Sequence, residues 1–137
     1  MQSSKLFIIL GNQLFHQQHI NKYKSDHVFF MAEDYGLCTY EKHHKQKILL
    51  FLSSMRSYAE EIENNGYELI YHKISHKAFK RDYIDKIKDA LNSKNIKEIT
   101  SFEVEDKRFE KILLDFFEEK KNKMEYSSNT YVFKCKR

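Results

Sequence analysis

Two patterns of apolar residues run along this chain, and each predicts a different kind of element. Continuous apolar runs at residues 5–10 and 27–32 are typical of strands that are buried on both faces of a parallel sheet. Within the stretch 31–66, a polar loop precedes apolar positions that recur every three or four residues, which predicts one long amphipathic helix. Gly66 favours the left-handed turn that ends a helix. The predicted buried face comprises Ile48, Phe51, Leu52, Met55, Ala59 and Ile62.

The rest of the chain continues this alternation of strands and helices. Residues 14–26 predict a loop or a short, weak helix. The other predicted elements are strands at 67–74, 96–102 and 124–126, helices at 79–92 and after the N-cap Asp106, and a last extended piece at 130–133. The alternation predicts a doubly wound, Rossmann-like α/β fold, with a five-stranded parallel sheet in the order 3-2-1-4-5 and helices on both faces.

This strand order places a topological switch point between strands one and four. In open α/β sheets, ligands bind at such a point, outside the carboxyl ends of the strands. Gly11, Glu33 and Glu103 follow strands one, two and four, so we expect them to border a crevice. No G-x-G-x-x-G sequence occurs, so a Rossmann pyrophosphate cradle is not predicted.

The first candidate ligand contacts follow strands one and two. Gly11 favours a tight turn that directs the backbone amides and the side chains of Asn12 and Gln13 into the crevice, although the same turn could simply begin a connection. Glu33 ends a buried strand, where a carboxylate needs hydrogen-bond donors. A polar heterocycle would supply them, and so would the loop backbone.

Further candidates lie in the loop after Glu33 and at the start of the long helix. Tyr40 can stack on a flat ring, or it can simply cover the core. His44 can hydrogen-bond a ligand and Lys47 can neutralise an anionic ring, whereas the alternative for both is a polar helix start. Because adjacent residues of a helix point about 100° apart, His43 and His44 are not expected to share a metal ion. Arg56 is expected to pair along the helix surface with the carboxylates of residues 60 and 63.

Composition narrows the classes of protein. The 137 residues are predicted to form one domain, and 24 basic and 20 acidic residues with a net charge of +4 favour a solvated surface of mixed sign over a nucleic-acid footprint. Cys38 and Cys135 lack metal-site spacing and are predicted to be free thiols. No apolar stretch approaches the roughly 20 residues of a membrane span, so we predict a cytoplasmic protein with no membrane contact.

Several short sequences occur in an order and at a spacing that resemble a known family. They are Gly11-Asn12-Gln13-Leu14, Ala32-Glu33, Tyr40-x-x-His43-His44-Lys45-x-Lys47, Ser54-Met55-Arg56-x-x-Ala59-Glu60-Glu61 and Gly66-Tyr67. The chain resembles the N-terminal α/β domain of the deoxyribodipyrimidine photolyase-related proteins, which are relatives of photolyases and cryptochromes. The resemblance covers the first half of the chain closely and the second half more loosely.

The resemblance implies a light-harvesting role. It implies an antenna chromophore, a ribityl-lumazine or a deazaflavin, in the crevice over strands one and two. This ligand is expected at Gly11, Asn12, Gln13, Glu33, Tyr40, His44, Lys47 and Phe51. FAD and an iron–sulfur cluster are expected only in a C-terminal helical domain outside residues 1–137. That domain is the expected partner, and DNA is expected to be repaired by the full-length protein and not by this chain alone. Two departures are Leu37, where relatives often carry a second carboxylate, and Phe51, where an aliphatic residue is usual.

Two other classes of protein remain open at this point. One is a small α/β nucleotide-binding protein, and the other is a protein- or nucleic-acid-interaction module without catalysis. Retention on heparin or DNA with a steep salt dependence would distinguish the nucleic-acid module.

Overall fold

The strands form one sheet in which four parallel strands continue into an antiparallel pair. The computed structural model describes residues 4–39, 42, 44–77, 79–119, 123–127 and 130–134. The strands are β1 (Lys5–Ile8), β2 (His27–Ala32), β3 (Leu69–His72), β4 (Glu98–Phe102), β5 (Lys123–Ser127) and β6 (Thr130–Lys134). The helices are α1 (Tyr35–Thr39), α2 (Lys45–Asn64), α3 (Tyr83–Lys94) and α4 (Lys107–Glu119), with single 3₁₀ turns at Gln17–His19 and Asn21–Tyr23.

The sheet order is β3-β2-β1-β4-β6-β5. The predicted order 3-2-1-4 is confirmed for the parallel strands. The prediction of five parallel strands is wrong, because β6 pairs antiparallel with both β4 and β5. Only two residues separate Ser127 from Thr130, and so short a connection joins antiparallel strands, whereas parallel strands need a crossover of a dozen or more residues.

Helices cover both faces of the sheet, and the strands alternate between the two cores. Val28 and Phe30 of β2 pack in a cluster with α3 and α4, whereas Phe29 and Met31 pack in a cluster with α2. Because both faces of β2 are buried, its sequence is a continuous apolar run. Burying each such side chain stabilises the fold by about 1.5–3 kcal/mol.

The helix predicted at 79–92 begins only at Tyr83, and the polar loop predicted before α2 contains α1, whereas the predicted caps of α2 and α4 are confirmed. The buried face of α2 needs two corrections. Asp106 caps α4 by accepting hydrogen bonds from the Arg108 and Phe109 amides at 2.9 and 3.3 Å. Gly66 follows α2 with φ of +84°. However, Phe51 is 40% exposed and therefore lies off the buried face of α2. Tyr58 is buried on that face instead, and its hydroxyl donates to the Phe15 carbonyl at 2.8 Å.

Candidate functional site

A crevice opens at the carboxyl ends of β1 and β4, where the sequence predicts a switch point. Its volume is about 250 Å³. α2 and α4 begin on either side of it and contribute the side chains of Lys47 and Asp106. The other lining residues are Leu10, Gly11, Asn12, Cys38, Ile48, Phe51, Val104 and Phe109. The crevice thus combines apolar walls with a few polar groups, as small-molecule sites do.

The ring of Phe51 lies against Gly11 at the floor of this crevice. A Cβ atom at Gly11 would overlap the Phe51 ring and would lie 2.9 Å from the Met55 sulfur. Only glycine therefore permits this contact. The Phe51 ring covers the floor on one side and faces solvent on the other, since the residue is 40% exposed.

The two polar residues after Gly11 have different surroundings. Asn12 is exposed and lines the crevice. Gln13 is buried, and its Nε2 donates to the Glu103 carbonyl at 2.8 Å while its Oε1 accepts from the Leu10 amide at 3.4 Å. Gln13 therefore joins the loops after β1 and β4 and is not part of the crevice lining.

Glu33 belongs to a second site beside the crevice, which we call the carboxylate cluster: Glu33, Asp34, Arg56, Tyr71 and Lys86. The Glu33 side chain is fully buried. Its Oε1 accepts from Arg56 Nε at 2.7 Å and from the Tyr71 hydroxyl at 2.6 Å. Its Oε2 accepts from Arg56 Nη2 at 3.0 Å and from the Ile74 amide at 2.7 Å. Glu33 is thus bonded within the protein, and it does not line the crevice.

The contacts of Glu33 stabilise its charged form. Burial acts to raise the pKa of Glu33, but hydrogen bonds from Arg56, Tyr71 and the Ile74 amide hold the pKa below its ordinary value. Burial and the Glu33 carboxylate together raise the pKa of the Tyr71 hydroxyl, which stays protonated as a donor. Arg56 is predicted to pair along the surface of α2, but its ion pair in the structure is with Glu33.

Asp34 is paired with a lysine that has no exposed surface. Lys86 Nζ lies 2.5 Å from Asp34 Oδ1, 2.9 Å from the Phe79 carbonyl and 3.4 Å from the Glu33 carbonyl. Sequence reasoning missed Lys86, although its spacing was a signal. It lies three residues after Tyr83 and four before Ala90, and both of these lie on the buried face of α3.

Two of the remaining candidates, His44 and Lys47, lie at the start of α2, and of these two only Lys47 lines the crevice. His44 is the N-cap residue of α2, and its Nδ1 accepts from the Gln46 amide at 3.2 Å. Lys47 is exposed and lines the crevice. Tyr40 and His43 lie outside the described residues. The structure therefore brings together Gly11, Asn12, Lys47 and Phe51, and it places Glu33 and Gln13 in neighbouring contacts; ligand binding by any of these residues stays a prediction.

Comparison with known families decides what kind of protein carries this crevice. A family model described as deoxyribodipyrimidine photo-lyase-related protein matches residues 7–137. The chain belongs to this family. No curated protein matches the sequence at a significant level. The family match spans both the crevice and the carboxylate cluster, so both are features of a photolyase-related chain.

One further group in the crevice of this photolyase-related protein can change its protonation. Cys38 is half-buried and lines the crevice. Burial and the nearby charges of Asp34 and Glu33 raise the pKa of its thiol, which favours the uncharged form. Among the described residues, no group of three or more His, Cys, Asp or Glu side chains is arranged to hold a metal ion. Within the same residues, no helix has the length and apolar character needed to cross a bilayer.

Proposed function

We propose that this photolyase-related protein binds a light-harvesting antenna chromophore, a ribityl-lumazine or a deazaflavin, in the crevice over β1 and β4. The position of the crevice carries the proposal. It lies at the carboxyl ends of the strands where the order of the sheet reverses, which is where open α/β sheets bind ligands. The family match gives the chemical class of ligand that this position would take.

The lining suits a flat heterocycle with a hydroxylated side chain. Leu10, Ile48 and Val104 provide apolar contact for the ring system. The Lys47 ammonium neutralises an anionic ring, and Asn12 provides hydrogen bonds for ribityl hydroxyls. The crevice volume of about 250 Å³ lies just below the usual range of roughly 300–1,000 Å³ for ligand pockets. Movement of the Phe51 ring away from Gly11 supplies the missing space.

The carboxylate cluster has a supporting role in this proposal. Arg56 belongs to α2, Tyr71 to β3 and Lys86 to α3, and the cluster joins all three to the end of β2. Because α2 also supplies Lys47 and Phe51, the Glu33–Arg56 pair holds these two residues in position over the crevice.

Light-driven DNA repair is proposed as the activity of the full-length protein. In that reaction the chromophore would absorb light and pass its energy to FAD held by a C-terminal helical domain. This chain contains no tryptophan, the residue that often carries electrons to a flavin. We therefore expect the 137-residue chain to bind the chromophore and to leave the repair of DNA to the full-length protein.

The test is a fluorescence titration of the purified chain with a ribityl-lumazine and, separately, with a deazaflavin. We expect micromolar binding of one of them, weakened about tenfold in Lys47→Gln, which corresponds to about 1.4 kcal/mol. Lys111→Gln is the matched control, because Lys111 is an exposed helical lysine outside the crevice. No binding of either compound below about 1 mM, or equal weakening by both substitutions, would contradict the proposal.

A further inference from the structure

The outward face of α2 carries two large apolar side chains that contact water. Leu49 is 66% exposed and Leu50 is 69% exposed, the largest exposed fractions among the described large hydrophobic residues. They lie in a run, residues 48–55, that contains no charged residue, although 32% of the chain is charged. Ser53 and Ser57 continue the same exposed stripe at helical spacing, opposite the buried face of the helix.

Lysines lie at the start of this stripe and glutamates at its end, where exposed Glu60 continues it after Ser57, and exposed Arg56 beside it is paired with Glu33. Lys45 and Lys47 lie in the first turn of α2, and Glu61 and Glu63 lie in the last turn. All four are exposed, and none takes part in an ion pair between described residues, although Glu61 Oε1 accepts from Gln17 Nε2 at 2.7 Å. Lys45 and Glu63 are separated by about five turns at 3.6 residues per turn, so they project from the same side of the helix. Lys47 and Glu61 lie on the other side of the stripe.

We propose that α2 pairs with α2 of a second copy of this chain, in antiparallel orientation about a two-fold axis near Ser54. Ser54 lies midway between Lys45 and Glu63 and midway between Lys47 and Glu61. An antiparallel pair therefore places each lysine beside a glutamate of the second copy on both flanks. The two leucines pack against the serines of the second copy, where small side chains let the helices approach closely.

The charge pattern selects this occupant and this orientation. A parallel pair would place lysines beside lysines and glutamates beside glutamates, which is repulsive. A two-fold antiparallel pair is self-complementary, as an isologous interface requires. α2 has 20 residues and is about 30 Å long, so one helix pair forms a small interface and the dimer is weak.

A charge exchange at one flank tests the pairing directly. Lys45→Glu and Glu63→Lys each create two like-charge contacts in their own homodimer, whereas a mixture of the two variants restores both attractions. Neither residue lines the crevice, so this test does not depend on ligand binding. By sedimentation equilibrium we expect a wild-type dissociation constant on the order of 50 μM, about tenfold weaker association in each variant alone, and recovery in the equimolar mixture.

A polar substitution of an exposed leucine provides the second variant. Leu50→Gln is expected to abolish the dimer, whereas Ile112→Gln, at a 44% exposed position on α4, is expected to leave it unchanged. Circular dichroism of each variant checks that the fold is retained. A wild-type chain that remains monomeric at about 500 μM, or a mixture that associates no better than its components, would overturn the proposal. A monomeric wild-type chain would mean that the α2 face contacts a different partner, such as another domain.

Discussion

The crevice and the carboxylate cluster lie at the carboxyl ends of neighbouring strands, yet their polar groups are in opposite states. In the cluster, four donors bind the two oxygens of a fully buried Glu33. In the crevice, the side chains of Asn12, Lys47 and Phe51 are exposed. The comparison teaches that a carboxylate at a strand end is not by that fact a ligand contact. Its availability depends on whether other elements of the protein already supply its hydrogen bonds.

The carboxylate cluster is expected to contribute to the stability of the fold, and the crevice to ligand binding. A buried charge that loses its partner strongly destabilises a protein, because the remaining group is left unpaired and unsolvated. An exposed lysine or aromatic ring contributes little to the free energy of unfolding and remains free to contact a ligand. Substitutions in the cluster should therefore change stability, whereas substitutions in the crevice should change binding.

The largest effect is expected at Lys86. Lys86→Met removes the ammonium group that forms an ion pair with Asp34, whose side chain is only 5% exposed, and should lower the free energy of unfolding by about 3–5 kcal/mol. Chemical denaturation measures this change. Lys111→Met, at an exposed position, is the control and should stay within about 0.5 kcal/mol of wild type. A loss below about 1 kcal/mol at Lys86 would show that this buried pair is not needed for stability.

A smaller loss is expected at Glu33. Glu33→Gln keeps the shape of the side chain but removes the charge that accepts from Arg56 and Tyr71, and it should cost about 1.5–3 kcal/mol. The comparison is Glu60→Gln, an exposed residue of the same helix as Arg56, with an expected change within about 0.5 kcal/mol. Equal losses in the two variants would remove the distinction between the cluster and the surface.

At the crevice, loss of an aromatic ring should matter less. Phe51→Ala is expected to cost about 1 kcal/mol, because the ring is already 40% exposed. The same change at Phe116, which is 3% exposed in the core, should cost about 3–5 kcal/mol. Similar values at both positions would mean that Phe51 is part of the core and not a movable cover.

The smallest effect concerns acid stability. The pKa of Glu33 is lower in the folded protein than in the unfolded chain, so protonation favours unfolding. This contribution is complete above the unfolded pKa of about 4.3 and is lost as the pH falls through the lower folded pKa. Denaturation midpoints between about pH 6 and pH 2 should therefore fall less steeply in Glu33→Gln than in wild type. Asp26 also has a lowered pKa in the folded protein, so Asp26→Asn is the comparison variant. If the denaturation midpoint falls with pH equally steeply in Glu33→Gln and in wild type, Glu33 is not the source of this effect.

The parallel strands could be predicted from the sequence because burial on both faces leaves a strong pattern. The strand predicted at 27–32 is β2, and its residues alternate between two apolar cores. The antiparallel end of the sheet was not predicted, because apolar runs do not record strand direction. The relevant signal was the gap of three residues between the pieces predicted at 124–126 and 130–133, which is too short for a crossover and favours a hairpin.

Only part of the crevice position could be predicted: the crevice opens at the switch point and Gly11 lines it, but Glu33 and Glu103, which were also expected at its border, do not. Its internal contacts could not be predicted. Glu33 is hydrogen-bonded to Arg56, which lies 23 positions later in the chain, and to Tyr71, which lies 38 positions later. Asp34 is bonded to Lys86, which lies 52 positions later. Such contacts follow from strand order and helix packing, which local patterns do not encode. Phe51 fitted the apolar spacing of α2, and only the packing of that helix on the sheet shows that its ring lies at the edge of the core and against Gly11.

The most direct test of the crevice as a ligand site is the affinity of Phe51→Leu for the proposed chromophore in the fluorescence titration. The smaller side chain removes the ring that lies against Gly11 and leaves the carboxylate cluster unchanged. We predict that this variant binds at least about threefold more tightly than wild type, a difference of roughly 0.6 kcal/mol. Unchanged or weaker binding by a folded Phe51→Leu protein would contradict the claim that the crevice is the ligand site and Phe51 its movable cover.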